Sequence, residues 1–181
     1  MAEPNSTFIL LTVILLLATY TDIKKHLIPN VLSLGGIIIG VSIHSYQTGF
    51  DGFLFSLSGL AVGFFLFLPF YLLRGMAAGD VKLMAAIGTF MGPSITLAAV
   101  AGTLVCGAVL AIAYILIKGG AKPTLERYRT MFNTFFSTHR LIYIKPTNKD
   151  IGSMRFPYAS AIMVGTFVGT YLVNNTLPFT A

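Results

Sequence analysis

The chain has 181 residues, of which 55% are hydrophobic and only 10% are charged, with a formal net charge of +6 and a mean hydropathy of +0.81. A soluble domain carries roughly 25% charged residues, so most of the surface of this protein does not face water. These proportions exclude an ordinary soluble domain. They indicate an all-α, multispanning membrane protein with a single domain over residues 1–181.

Cysteine and histidine are too few and too scattered to predict a metal centre. The single cysteine, Cys106, lies inside an apolar run, and His26, His44 and His139 have no metal-ligand spacing. A lone cysteine excludes a disulfide framework within this chain. We therefore expect no metal, no other cofactor and no nucleic-acid partner.

Six apolar runs follow one another along the chain, and each is interpreted as a membrane-spanning helix. The break at Gly92-Pro93 is a strong helix stop, because proline lacks the N–H that would continue the backbone hydrogen bonding. The first run follows Glu3 rather than a basic segment, so we expect it to be retained and not cleaved as a signal peptide. The predicted spans cover residues 6–21, 31–46, 52–73, 81–91, 94–117 and 157–174, with a polar stretch at 118–156.

The basic residues give the predicted spans a direction across the membrane. With six spans, all twelve Lys and Arg residues fall on the side of the loops after spans 1, 3 and 5, while the opposite side has only Glu3 and Asp51. Basic loops stay in the cytoplasm, so both termini are expected outside a bacterial inner membrane. The fourth run rises only about 16 Å, yet this charge distribution requires it to cross.

Part of the polar stretch has the pattern of an amphipathic helix. In "TLERYRTMFNTFF", Glu126, Arg127, Arg129 and Asn133 share one helical face, and apolar residues occupy the other. Such a helix lies in the membrane interface, where its basic residues favour anionic lipid; packing against the protein's own loops is the alternative. The predicted apolar face consists of Leu125, Tyr128, Phe132, Phe135 and Phe136.

Two aspartates stand at the cytoplasmic ends of predicted spans. Asp22 follows span 1 in "ATYTDIKKHLIPN", and Asp80 precedes span 4 in "GMAAGDVKLMAAIG". Ionisable groups near membrane depth are rare and usually functional. Two carboxylates that share one site do not both ionise easily. One of them can then deprotonate a water molecule while the other donates to a carbonyl oxygen, which is aspartic-protease chemistry.

Each aspartate also has a purely structural interpretation. Asp80 could cap the helix that follows it, where a negative charge suits the helix dipole. Asp22 could pair with Lys24 or Lys25 in a hydrated loop. Two functional alternatives also stay open: paired acids beside a broken helix are expected in an ion- or proton-coupled transporter, and a non-catalytic assembly subunit would use both acids only as caps.

The same stretches resemble the type IV prepilin peptidases, which are membrane aspartic proteases of the GxGD class. The likeness is carried by "TDIKKHLIPN", "GMAAGDVKLMAAIG" and "RFPYASAI", so it extends over nearly the whole chain. It implies that Asp22 and Asp80 are the catalytic pair. Ala77 departs from the family pattern, which has glycine at that position, and alanine is free to adopt fewer backbone angles.

The resemblance also implies a substrate and a setting. We expect removal of leader peptides from prepilins or pseudopilins at the cytoplasmic face, with membrane lipids as neighbours and pilus or secretion machinery as an indirect partner. The chain is similar to the short, peptidase-only members of Flp/Tad-like systems, so methyltransferase activity is not expected.

Four further residues near the aspartates are candidates for substrate binding or loop support. Two are glycines, which would give the segment beside Asp80 backbone freedom. A lysine could stabilise an ionised Asp80 or extend to lipid headgroups, and a tyrosine could hydrogen-bond near the site. These candidates are Gly75, Gly79, Lys82 and Tyr158.

Overall fold

The structure is a computed structural model that describes residues 4–73, 75–118, 126, 129–130, 133–134 and 158–176. The elements in this part of the chain are α-helices, as the composition predicts. Helix α1 spans Pro4–Lys25, α2 spans Asn30–Thr48, α3 spans Phe50–Leu72, α4 spans Ala78–Lys118 and α5 spans Tyr158–Thr176.

Helices α1 to α4 are each long and apolar enough to cross a membrane, and α5 contains a shorter apolar segment, Tyr158–Val173. These helices expose large aliphatic side chains, with Val31 at 82% and Ile38 at 65% of their surface. Lipid rather than water suits such a surface. The protein is therefore a multi-pass membrane protein. The count of six spans stays a prediction, because α4 joins two of the predicted runs in one element.

Local sequence sets the ends of the first helices. Helix α1 closes at His26, which has a left-handed φ of 49° and donates its N–H to the carbonyl of Asp22 at 2.8 Å; this is a common helix C-terminus. Pro29 is extended and leads directly into α2. The turn between α2 and α3 depends on Gly49, whose φ of 63° costs glycine no steric strain.

Helix α4 contains the break that the Gly92-Pro93 pair predicts. Gly92 has non-helical angles (φ 70°, ψ 178°), and a Cβ there would overlap the ring of Phe55. We call residues 78–91 α4a and residues 93–118 α4b. Helix α4a packs against α2 and α3, whereas α4b packs against α5. Representative close contacts are Gly36 with Ala86, Gly59 with Gly88, and Gly102 with Gly165.

The apolar core includes side chains from α1, α3, α4 and α5. Lipid tails are as apolar as the helices themselves, so close packing and small residues at the contacts hold such a bundle together. Fully buried large side chains of this core include Leu11, Leu15, Phe67, Leu83, Met84, Ile87 and Ile162.

The chain divides into two compact units, Met1–Ala108 with Pro157–Ala181, and Val109–Phe156. In the second unit the described positions of the predicted amphipathic helix are helical, and Glu126, Arg129 and Asn133 are exposed. Arg127 and the predicted apolar face lie outside the described residues. The interfacial location of this helix therefore stays a prediction.

Candidate active site

Asp22 lies in the last turn of α1, which continues past the predicted end of span 1 at residue 21 and ends at Lys25. The side chain is 5% exposed, and its Oδ2 accepts a hydrogen bond from the N–H of Ala159 at 2.9 Å. Lys24, one of the partners in the structural interpretation, instead places Nζ 4.6 Å from the ring centre of Tyr20. Asp22 is thus a buried, hydrogen-bonded carboxylate and not part of a hydrated loop.

Asp80 lies in the first turn of α4 and is 4% exposed. Its Oδ2 accepts the N–H of Ala77 at 3.0 Å, and its own N–H donates to the carbonyl of Ala77 at 3.1 Å. This pattern is one half of a capping box, with Ala77 at the capping position. The suggestion that Asp80 itself is the N-cap is wrong, because the helix already begins at Ala78.

The fold brings the two aspartates close enough for their charges to interact. Asp22 stands at the C-terminal end of α1 and Asp80 at the N-terminal end of α4, so both lie at helix ends. His26, just beyond α1, also interacts electrostatically with Asp22. The site is therefore a pair of buried carboxylates with a histidine nearby.

Tyr158, the first residue of α5, reaches this pair as well. Its half-buried side chain interacts electrostatically with Asp80. It also lies against Gly107, where a Cβ would come 2.5 Å from the tyrosine oxygen. Asp80 is in α4a and Gly107 is in α4b, and Tyr158 interacts with both residues. The chain therefore reverses direction at Gly92.

Sequence reasoning missed two residues of the site, Thr19 and Ala159. The hydroxyl of Thr19, 8% exposed, donates to the carbonyl of Ala159 at 3.4 Å. Thr19 precedes Asp22 by three positions, a helical spacing that could have marked it. Ala159 acts through its backbone, and no side-chain pattern could have found it.

Comparison with known proteins matches part of the sequence to one family. Residues 9–112, more than half of the chain and including both aspartates, match the type IV leader peptidase family. The chain belongs to this family. The match ends before α5, which carries Tyr158 and Ala159.

Curated relatives in this family are similar to this chain over part of their own length. Prepilin peptidase EppA of Methanocaldococcus jannaschii is 35% identical over 83 residues, which cover 46% of this chain and 23% of the relative. The prepilin leader peptidase/N-methyltransferases of Aeromonas salmonicida and Aeromonas hydrophila are each 32% identical over 118 residues, covering 61% of this chain and 40% of theirs. The chain thus spans less than half of each relative. No solved structure matches it.

The other candidates from the sequence, Gly75, Gly79 and Lys82, make different contacts near the two aspartates. A Cβ on Gly79 would lie 3.1 Å from the side chain of Ile28, so this glycine lets α4 pack against the loop after α1. Gly75 and Gly79 both have φ outside the left-handed region, and their role as a hinge stays a prediction. Lys82 donates from Nζ to Oδ1 of Asn30 at 3.0 Å, and so bonds to the start of α2 rather than to Asp80.

No group of three or more His, Cys, Asp or Glu side chains in the described part of the chain could hold a metal ion. Cys106 is a partly buried free thiol.

Proposed function

We propose that the protein is a membrane aspartic endopeptidase that removes the leader peptide from type IV prepilin-like substrates. The observation that supports this most directly is the pairing of Asp22 and Asp80. They lie on different helices and 58 positions apart in the sequence, yet both are buried and within electrostatic reach of each other. Membership of the type IV leader peptidase family supports the reaction class. The proposal covers peptide cleavage only.

Two neighbouring carboxylates, one ionised and one protonated, can hydrolyse a peptide bond. The ionised group takes a proton from water as the water oxygen attacks the carbonyl carbon, and the protonated group gives its proton to the carbonyl oxygen. The tetrahedral intermediate collapses when a proton passes to the amide nitrogen and the C–N bond breaks. The leader then leaves with a new carboxyl terminus, and the mature chain has a new amino terminus.

The proposed substrates suit a site at the cytoplasmic end of a helix bundle. A prepilin has a short basic leader followed by an apolar helix, which can lie in the membrane beside the spans. Lys24 and Lys25 end α1 next to Asp22, and Lys82 follows Asp80 on α4. Basic residues favour the cytoplasmic side, so we assign both aspartates to that face and both termini to the outside of a bacterial inner membrane.

Co-expression with prepilins from the same genome tests the function. We expect a faster-migrating, leaderless pilin on gels only when the protein is present. Full-length prepilin in the presence of a protein that has accumulated normally in the membrane would contradict the proposal. Proton-coupled uptake into vesicles without any cleavage would instead favour a transporter.

A further inference from the structure

We propose that the first turn of α5 positions Asp22 for catalysis, with Ala159 and Thr19 as positioning residues. Ala159 has no exposed surface, and both of its backbone polar groups meet α1. Its N–H donates to Oδ2 of Asp22 at 2.9 Å, and its carbonyl accepts the hydroxyl of Thr19 at 3.4 Å. Residues three apart share a helix face, so α1 presents both partners to one peptide segment. This inference rests on the proposed peptidase function.

The bond from Ala159 uses a group that its own helix leaves free. The first N–H groups of a helix have no partner within that helix, so binding the carboxylate does not weaken α5. A backbone N–H bound to a carboxylate holds that oxygen in place and favours its ionised form. The N–H of Ala159 binds Oδ2 of Asp22, and in the proposed mechanism Oδ1 takes the proton from water.

The same turn of α5 also reaches the second aspartate. Tyr158, directly before Ala159, interacts electrostatically with Asp80. One turn of α5 thus contacts Asp22 through the N–H of Ala159, and its Tyr158 side chain is within electrostatic range of Asp80. The contact with Asp22 joins residues 137 positions apart. The residues that match the family end at 112, so α5 adds to the site from outside the matched region.

Substitutions can remove these hydrogen bonds one at a time. Ala159→Pro deletes the N–H at a first-turn position that tolerates proline, whereas Ala159→Gly keeps the N–H. Thr19→Val removes the hydroxyl at similar size, and Thr19→Ser restores it. Thr12→Val is the matched control on the same helix, because the hydroxyl of Thr12 donates to the carbonyl of Phe8 within α1 and makes no other hydrogen bond to the described residues.

We expect kcat for leader cleavage by the full-length protein to fall about a hundredfold in Ala159→Pro, the loss typical of a misplaced catalytic group. For Thr19→Val we expect a fall of about fivefold, because the variant loses the weak hydrogen bond to Ala159 and the contact of the same hydroxyl with Sδ of Met163 at 3.8 Å. KM should change less than about twofold in both, since neither hydrogen bond involves the ground-state substrate. Ala159→Gly, Thr19→Ser and Thr12→Val should keep nearly the wild-type kcat.

A second measurement is independent of cleavage. Carbodiimide reacts with protonated carboxyl groups, and mass spectrometry reports the labelled fraction of each aspartate. Because the N–H of Ala159 favours ionised Asp22, Ala159→Pro should extend the labelling of Asp22 to higher pH while leaving that of Asp51 unchanged.

Wild-type kcat in Thr19→Val, together with wild-type labelling of Asp22 in Ala159→Pro, would overturn the positioning role. If Ala159→Pro does not accumulate, the comparison of Thr19→Val with Thr19→Ser tests the positioning role. Recovery of kcat in Thr19→Ser would show that the hydroxyl, and not the packing of the side chain, is required. A wild-type protein that cleaves no prepilin would contradict the proposed function. The labelling experiment would still test whether the N–H of Ala159 stabilises ionised Asp22.

Discussion

At the scale of single residues, the carboxylates of Asp22 and Asp80 each bind one backbone N–H through Oδ2. In both cases that N–H belongs to the start of a helix, Ala159 of α5 or Ala77 before α4. Each carboxylate is thus held through one oxygen. In the proposed two-carboxylate hydrolysis the other oxygen of each group faces water or the peptide.

Asp22→Asn and Asp80→Asn should each reduce leader cleavage by about a hundred- to ten-thousandfold while the protein still accumulates in the membrane. An amide has nearly the same size but cannot take the proton from water or supply one. Asp51→Asn is the matched control, because Asp51 is exposed in the first turn of α3. The measurement is processed pilin on gels; full processing by either site variant would exclude the two-aspartate mechanism.

Ala77→Ser should raise the free energy of unfolding by about 1 kcal/mol, because serine is a much better N-cap than alanine. Its hydroxyl can accept an N–H of the first turn of α4, which would complete the capping box with Asp80. Ala78→Ser is the control, since Ala78 is already inside the helix and is exposed like Ala77. Thermal unfolding in detergent measures both variants, and equal stabilisation by the two would refute the capping assignment.

At the scale of elements, the close approach of helices depends on glycine. A Cβ on Gly59 of α3 would overlap the carbonyl of Gly88 of α4a, and a Cβ on Gly88 would overlap the carbonyl of Gly59. Gly63, one turn further along α3, faces the carbonyl of Met84 in the same way. These contacts hold α4a, and with it Asp80, against α3.

Gly59→Ala should destabilise the protein by about 1–3 kcal/mol, since the added methyl group must push two helix backbones apart. Gly35→Ala on α2 is the matched control, because a Cβ there meets nothing within 4 Å. Alanine is the better helix former by about 1 kcal/mol, so the control should be neutral or slightly stabilising. Detergent unfolding temperatures test the pair, and equal values would contradict the close contact.

At the scale of the whole molecule, the distribution of charge sets the expected orientation. The chain has twelve Lys and Arg residues against six Asp and Glu, and the basic residues gather on one side of the predicted spans. The reversal of α4 at Gly92 agrees with this distribution. It allows the fourth and fifth predicted runs to cross in opposite directions, as the six-span prediction requires.

Single cysteines in a Cys106→Ala background should report this orientation. We expect a membrane-impermeant thiol reagent to label Gln47→Cys and Thr180→Cys from outside intact cells, and Thr138→Cys only after lysis, because basic loops remain in the cytoplasm. Positions 138 and 180 lie outside the described residues. Labelling of Thr138→Cys in intact cells would reverse the topology and remove the site from the cytoplasmic face.

The amino-acid sequence by itself determined the membrane class, the helical architecture, the break at Gly92 and the two aspartates as candidates. These features follow from local chemistry: hydropathy sets which segments enter lipid, and a proline lacks the N–H that would continue the helix, so the Gly92-Pro93 pair favours a break. The amphipathic helix and the number of spans are predictions of the same kind.

Only the tertiary structure decided which groups surround the aspartates. Asp22 binds the N–H of Ala159, and Tyr158 interacts electrostatically with Asp80. Both interactions depend on how α1, α4 and α5 pack. Almost every residue has a backbone N–H, so the sequence contains no sign of which one will meet a carboxylate. The packing of α1 against α5 selects that pairing, because it fixes the axial position of each helix against the other.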